Sequence, residues 1–189
     1  MELKVENLTK HYGGKTVLDG VSFALREGVT CLMAPSGAGK TTLLRLLLGL
    51  EKADGGQITG LAGRRISAVF QEDRLLPGLD AAGNLRFVLG ADCDEGRAAE
   101  LLGELGLSDV GDKAVRDYSG GMRRRLALAR ALLFPCDILL LDEPFTGLDP
   151  ENRRRAAACV RRHGAGKIVF VVTHEASDAE ALEAEILRL

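Results

Sequence analysis

The stretch Ala34-Pro35-Ser36-Gly37-Ala38-Gly39-Lys40-Thr41-Thr42 lies between an apolar run at residues 29–33 and a leucine-rich segment at residues 43–50. Gly37 and Gly39 allow successive backbone N–H groups to turn inward, and a helix opening at Lys40 aims the positive end of its dipole at the same point. A strand, a glycine-rich turn and a helix N-terminus in that order make a cradle for phosphate oxygens. In the spacing G-x-x-x-x-G-K-[ST], the backbone of Ser36, Gly37, Ala38, Gly39, Lys40, Thr41 and Thr42 wraps the phosphates. Lys40 brings a mobile cation to the β- and γ-phosphates, and Thr41 brings a hydroxyl to Mg²⁺. Ala34 stands where the pattern has its first glycine, which costs little unless that residue must take positive φ.

A chain of 189 residues has room for one core with a small subdomain and is too short for two full domains. Its 46% hydrophobic and 28% charged residues are ordinary for a folded soluble domain, and a net charge of -2 steers it toward neither nucleic acid nor acidic lipid. The basic clusters Arg64-Arg65, Arg123-Arg124-Arg125, Arg153-Arg154-Arg155 and Arg161-Arg162 are expected mostly on solvated helix faces. Cys31, Cys93, Cys136 and Cys159 have no zinc-like spacing and read as small buried or idle thiols in a reducing compartment. No basic start leads into an apolar leader, and no run approaches the roughly 20 apolar residues that span a bilayer. The chain is therefore expected in the cytoplasm, with any membrane role exercised through partners and no regulatory domain after Leu189.

Residues 1–32 alternate as strands about the turn His11-Tyr12-Gly13-Gly14-Lys15, an antiparallel opening. Residues 40–50 read as a buried helix that Gly55-Gly56 terminates, and Ile58 and residues 66–70 read as further strands. Two amphipathic helical patterns occupy residues 80–117, followed by a strong helix over residues 119–134. The run Ile138-Leu139-Leu140-Leu141 suits a buried parallel strand. Asp149 and Pro150 make an N-cap and N1 pair for a helix ending at His163, with Gly164 at its C′ position. A strand at residues 167–173, a short helix and a last strand at residues 186–189 complete the pattern. The fold expected is α/β, with a mainly parallel sheet, an N-terminal antiparallel part and a helical insertion at about residues 78–133, all in one domain over residues 1–189.

A phosphate loop alone serves kinases, GTPases, motors and transporter ATPases. The strand ending in Asp142-Glu143 narrows the choice, because it places two carboxylates at the carboxyl end of the sheet, where open α/β sheets bind ligands. Asp142 is suited to hold Mg²⁺ and Glu143 to polarise an attacking water as general base. Tyr118-Ser119-Gly120-Gly121-Met122 opens a basic helix with a hydroxyl and free amides, a second anion site.

The order of phosphate loop, Gln71, Ser-Gly-Gly, Asp-Glu-Pro, Gly-Leu-Asp and His174 resembles the ABC ATPase family over essentially the whole chain. That resemblance implies a phosphate-loop NTPase that hydrolyses ATP with Mg²⁺. It implies that Tyr12 stacks on adenine, Gln71 touches Mg²⁺ and the lytic water, and His174 contacts the γ-phosphate. It further implies that Ser119, Gly120 and Gly121 close over the nucleotide of a second copy or homologous subunit, head to tail, with Asp149 at the junction. The partners implied are integral membrane transporter subunits and a solute-binding protein, with the ATPase peripheral on the inner membrane face and no nucleic acid involved.

Tyr118 and Met122 stand where the family usually has leucine and glutamine. The segment at residues 69–77 resembles importer ATPases for nitrate, sulfonates and taurine, although Gly78 replaces their usual tryptophan. A nucleotide-switched clamp or assembly factor outside transport is the alternative; its relatives carry long coiled coils or paired cassettes, which this sequence lacks. A simple kinase would lack the Ser-Gly-Gly and His174 set. Lys40→Ala is expected to abolish nucleotide binding by calorimetry; unchanged affinity would remove the loop from the site.

Overall fold

Strict alternation in the buried strands divides the interior into two cores, one on each face of a parallel sheet. A computed structural model describes residues 1–35 and 37–188; Ser36, expected in the cradle, lies outside the described residues. Strands β1 (Glu2–Tyr12) and β2 (Lys15–Arg26) form the expected antiparallel hairpin. Strand β3 (Gly28–Met33) then runs into the glycine-rich loop and helix α1 (Lys40–Leu47). Strand β4 (Gly55–Thr59) returns antiparallel to β1, giving a three-stranded sheet of order β2-β1-β4.

The expectation that Gly55-Gly56 merely ends the preceding region is corrected here, since these residues open β4. At Gly56, φ is +78° and a Cβ would stand 2.3 Å from the Asn7 carbonyl oxygen, so the glycine is needed for the approach of β4 to β1. Helix α1 is also shorter than expected. It stops at Leu47, Gly49 turns the chain at φ +67°, and Leu50 is 59% exposed.

Strand β5 (Ile66–Val69) leads to α2 (Ala81–Leu89), α3 (Glu95–Glu104) and α4 (Gly120–Leu133), then to β6 (Ile138–Asp142) and α5 (Pro150–His163). Strand β7 (Ile168–Thr173), α6 (Ala176–Leu182) and β8 (Glu185–Arg188) follow. The second sheet is parallel, with order β5-β6-β7-β3-β8. Ile138, Leu140, Ile168, Phe170 and Val172 face one way, into a core shared with Leu32, the leucines of α1 and the antiparallel sheet. Leu139, Leu141, Val169 and Val171 face the other way, toward α2 to α6. Each such side chain fully removed from water stabilises the fold by roughly 1.5–3 kcal/mol. Phe23 of β2 stacks on Phe170 of β7 at 5.7 Å between centroids, joining the two sheets.

The segment between β5 and β6 closes on itself: Val115 N–H donates to Leu79 O at 2.9 Å and Arg116 N–H to Pro77 O at 3.0 Å. One expectation fails inside α4. Arg124 and Arg125 are 5% and 9% exposed and do not lie on a solvated face. Arg125 donates to Gly121 O, Leu105 O and Gly106 O, tying α4 to the end of α3. Cys31, Cys136 and Cys159 are free and buried, as expected, and burial pushes the Cys31 and Cys159 thiols up to about 12.

Asp149 caps α5 as expected, accepting from Asn152 N–H at 2.8 Å, with Pro150 beginning the helix. Gly164 ends the helix for a reason other than the one expected. Its φ is −85°, not left-handed, and an added Cβ would meet Val160 O and Val169 Cγ2, each at 2.6 Å. Gly164→Ala is therefore expected to destabilise the protein by about 1–3 kcal/mol in urea unfolding, the usual range for overpacking.

Candidate active site

In a parallel sheet every strand delivers its carboxyl end to one edge, and the candidate residues collect there. β3 ends at the glycine-rich loop, β5 just before Gln71, β6 at Asp142 and β7 just before His174. Gly37 and Gly39 take φ of +84° and +82°, and a Cβ on Gly39 would lie 2.8 Å from both Val17 O and Leu18 Cδ2. Ala34 is not among the positive-φ residues, so the alanine is accommodated without strain. Its carbonyl accepts from Lys40 Nζ at 2.6 Å, and Pro35 O accepts from the same ammonium at 3.3 Å.

Thr41 Oγ1 donates to Asp142 Oδ2 at 3.0 Å, joining the first turn of α1 to the end of β6. Asp142 is 2% exposed; burial pushes its carboxyl above the usual range, and the Thr41 bond opposes that shift. Glu143, the next residue, has φ +49° and donates its N–H to Val172 O at 2.9 Å. Glu143 Oε1 accepts from His174 Nδ1 at 2.8 Å, whereas Oε2 is buried with no hydrogen-bond partner among the described residues. A carboxylate held by one oxygen and free at the other is arranged to take a proton from water.

A cavity of about 290 Å³ unites these groups. Gly37, Gly39, Lys40, Thr41 and Thr42 form one side of it, and Gln71, Asp142 and Glu143 another. Val17 of β2 completes the lining; sequence reasoning passes over it, because an ordinary strand valine carries no signal. Gln71 lines this cavity, and His174 is joined to it through Glu143.

Other candidates lie outside the lining. Ala38 N–H donates to Pro35 O at 3.2 Å, closing a turn, so this amide is not aimed at the cavity. Tyr12, 43% exposed, hydrogen-bonds through its hydroxyl to Glu51, with Lys10 Nζ 5.3 Å from its ring centroid. Ser119 is the N-cap of α4, its Oγ accepting from Met122 N–H at 3.2 Å. Gly121 lies close to Gly147 and Leu148, so Ser119, Gly120 and Gly121 stand beside the Asp149 loop and not at this chain's own phosphate loop.

Sequence reasoning also misses Asp178. It is 2% exposed on α6 and accepts from Thr173 Oγ1 at 2.6 Å, next to His174, with Arg153 Nη1 3.4 Å from its other oxygen. Burial pushes its carboxyl up. An acid three residues into a short helix looks solvated until the packing of α5 on α6 is known. Among the described residues no helix is long and apolar enough to cross a membrane.

A phosphate loop, a carboxylate pair at the strand end and a parallel sheet define a phosphate-loop NTPase. The profile of the family described as ABC transporter matches residues 18–146. The chain is 42% identical over 194 residues to the aliphatic sulfonates import ATP-binding protein SsuB 2 of Paraburkholderia xenovorans, covering 99% of this chain and 76% of that protein. It is 38% identical over 206 residues to a probable sulfate/thiosulfate import ATP-binding protein, CysA, of Chlorella vulgaris, covering 100% of this chain and 87% of the relative. A third relative, Nod factor export ATP-binding protein I of Ralstonia nicotianae, is 42% identical over 197 residues, covering 95% of this chain but 61% of its own length. The chain belongs to the ABC transporter family and is one of its ATPases.

The Glu143 carboxylate raises the pKa of His174 above its ordinary 6.5, chiefly through their hydrogen bond. A raised folded value means that the pair's contribution is fully present below the unfolded pKa and is lost as pH rises through the folded one. The His174 imidazole, followed by NMR, is expected to titrate above 6.5 in the native protein and to shift downward in Glu143→Gln. An identical titration in both would mean that the pair does not form in solution.

Proposed function

We propose that the chain is the ATP-hydrolysing subunit of an importer. The observation that carries this reading is Glu143, bonded to His174 at one oxygen and free at the other, facing the same cavity as Lys40. Import is the direction carried by the names of the sulfonate and sulfate relatives, whereas the name of the Ralstonia nicotianae relative carries export. Integral membrane transporter subunits and a solute-binding protein are the partners of such an importer, and the ATPase sits against the inner face of the membrane.

ATP lies with its phosphates on the loop at residues 34–42, and the Tyr12 ring, part exposed at the end of β1, is the face presented to adenine. Lys40 exchanges its contacts with Ala34 O and Pro35 O for phosphate oxygens, a movement within the reach of its flexible stem. The Thr41 hydroxyl and Asp142 carboxylate, already in contact, are hard oxygen donors that fit Mg²⁺, with Gln71 across the cavity as a further oxygen. Bound there, Mg²⁺ supplies charge neutralisation for the phosphates. Glu143 Oε2 accepts the proton of the attacking water, and His174 holds the other oxygen so that the carboxylate keeps its orientation.

The site is completed in trans. Ser119, Gly120 and Gly121 open α4 with a hydroxyl, free amides and the positive end of its dipole, at a place where this chain's own cavity does not use them. A second copy or a homologous ATPase subunit, docked head to tail, brings its nucleotide to that end, with the Asp149 loop beside the junction. The cassette formed by residues 1–189 is one unit, with residues 78–133 as its helical subdomain.

Glu143→Gln is expected to keep ATP binding while losing roughly 10²–10⁴ in turnover, the range for removal of a general base. The same variant should pair with ATP in light scattering. Turnover near wild type would overturn the role of Glu143, and a monomer at saturating ATP would overturn the paired arrangement.

A further inference from the structure

Helix α4 is attached to the backbone around Gln71 through two arginines. Arg124 Nη1 donates to Phe70 O at 2.7 Å and its Nη2 to Gln71 O at 2.8 Å. Arg130 Nη2 donates to Asp73 O at 2.9 Å and its Nη1 to Arg74 O at 2.8 Å. Asp73 Oδ1 lies 3.1 Å from Arg124 Nη1 and supplies the opposing charge, without the alignment of a hydrogen bond. Arg74 takes φ +47° and places its guanidinium 3.9 Å from the centroid of Phe70, folding the segment back on itself above α4.

A planar guanidinium that reaches two consecutive carbonyls fixes the orientation of the peptide between them as well as its position. Here that peptide carries Gln71, whose side chain lines the cavity. Arg124 is 5% exposed, so these bonds form away from water and detaching them would leave a buried guanidinium with donors unsatisfied and only the Asp73 carboxylate beside it. The same helix begins at Ser119, Gly120 and Gly121.

We propose that Arg124 is a positioning residue for Gln71, clamping the start of α4 to the Gln71 backbone so that seating of residues 119–121 on a second subunit's nucleotide sets Gln71 in this chain's own cavity. The inference rests on the assignments of Gln71 and of residues 119–121 made above. A lysine at position 124 keeps the charge but cannot hold both carbonyls in one plane.

The test is a double-mutant cycle read as kcat and ATP KM at saturating Mg²⁺, using Arg124→Lys, Gln71→Ala and the pair. Arg124→Lys is expected to lower kcat roughly tenfold with KM changed less than about twofold, as for a misplaced group near the chemistry. On the Gln71→Ala background it should cost almost nothing further. Equal fold losses on both backgrounds, or an unchanged kcat in Arg124→Lys, would overturn the clamp while leaving the assignment of Gln71 standing. A Gln71→Ala variant with wild-type kcat would overturn that assignment, and the clamp with it. If Arg124→Lys melts early, Arg124→Gln, which keeps donors for a single carbonyl, takes its place in the cycle with the same outcomes.

Discussion

The hydrogen bond from Thr41 to Asp142 spans 101 residues of sequence, and it forms only because β3 and β6 end at the same edge of one sheet. Neither strand is next to the other; β7 lies between them, paired in register with both. Parallel pairing therefore does what no local motif can. It fixes the distance from the phosphate loop to the carboxylates across an intervening strand, and β7 itself delivers His174 to the same edge. The hydrophobic alternation that fills two cores is in this sense the first determinant of the site. A slip of one residue in β6 would exchange Leu139 and Leu141 for Leu140 across the sheet and turn Asp142 away from Thr41.

Glu143 shows how that scaffold holds a side chain in an unfavourable backbone. A left-handed conformation for a residue other than glycine costs on the order of 1–3 kcal/mol and persists where the surroundings over-determine it. The N–H bond to Val172 O, the turn closed by Thr146 N–H on Glu143 O and the His174 contact together do so. Straight continuation of β6 would carry Glu143 along the pleat; the left-handed turn ends the strand at Asp142 and directs the next carboxylate into the cavity.

What was legible in the sequence follows from how far each determinant reaches. The strands, the helical insertion, the Asp149 cap and the cavity-lining residues from Gly39 to Thr42 were readable because each depends on a period or a spacing of a few residues. Gly56 and Gly164 are harder to read because a neighbouring carbonyl, from another part of the chain or from the preceding turn, helps require each of them, and at Gly164 no left-handed φ is involved. In the sequence Arg124 looks like a solvated residue because its partners are backbone carbonyls at residues 70 and 71, groups that every residue has and that leave no trace in composition. A guanidinium satisfied by carbonyls needs no acidic partner at helical spacing, so the charge-pattern argument could not detect it.

The departures from the family's motifs can be understood the same way. At Ala34 the atom engaged is the carbonyl oxygen, which receives Lys40 Nζ, and the backbone there is not left-handed, so a methyl group in place of hydrogen alters nothing the loop uses. At Met122 the atom engaged is the N–H, which closes the Ser119 cap, while the side chain packs against the helical core. In both places the hydrogen bond that the structure shows is made by the main chain. Lys40, Thr41, Asp142 and Glu143 act instead through side-chain atoms, and those residue types stand unchanged in the pattern. Motif letters therefore carry different weight according to whether the structure uses the residue's backbone or its side chain, and Ala34 and Met122 are of the first kind.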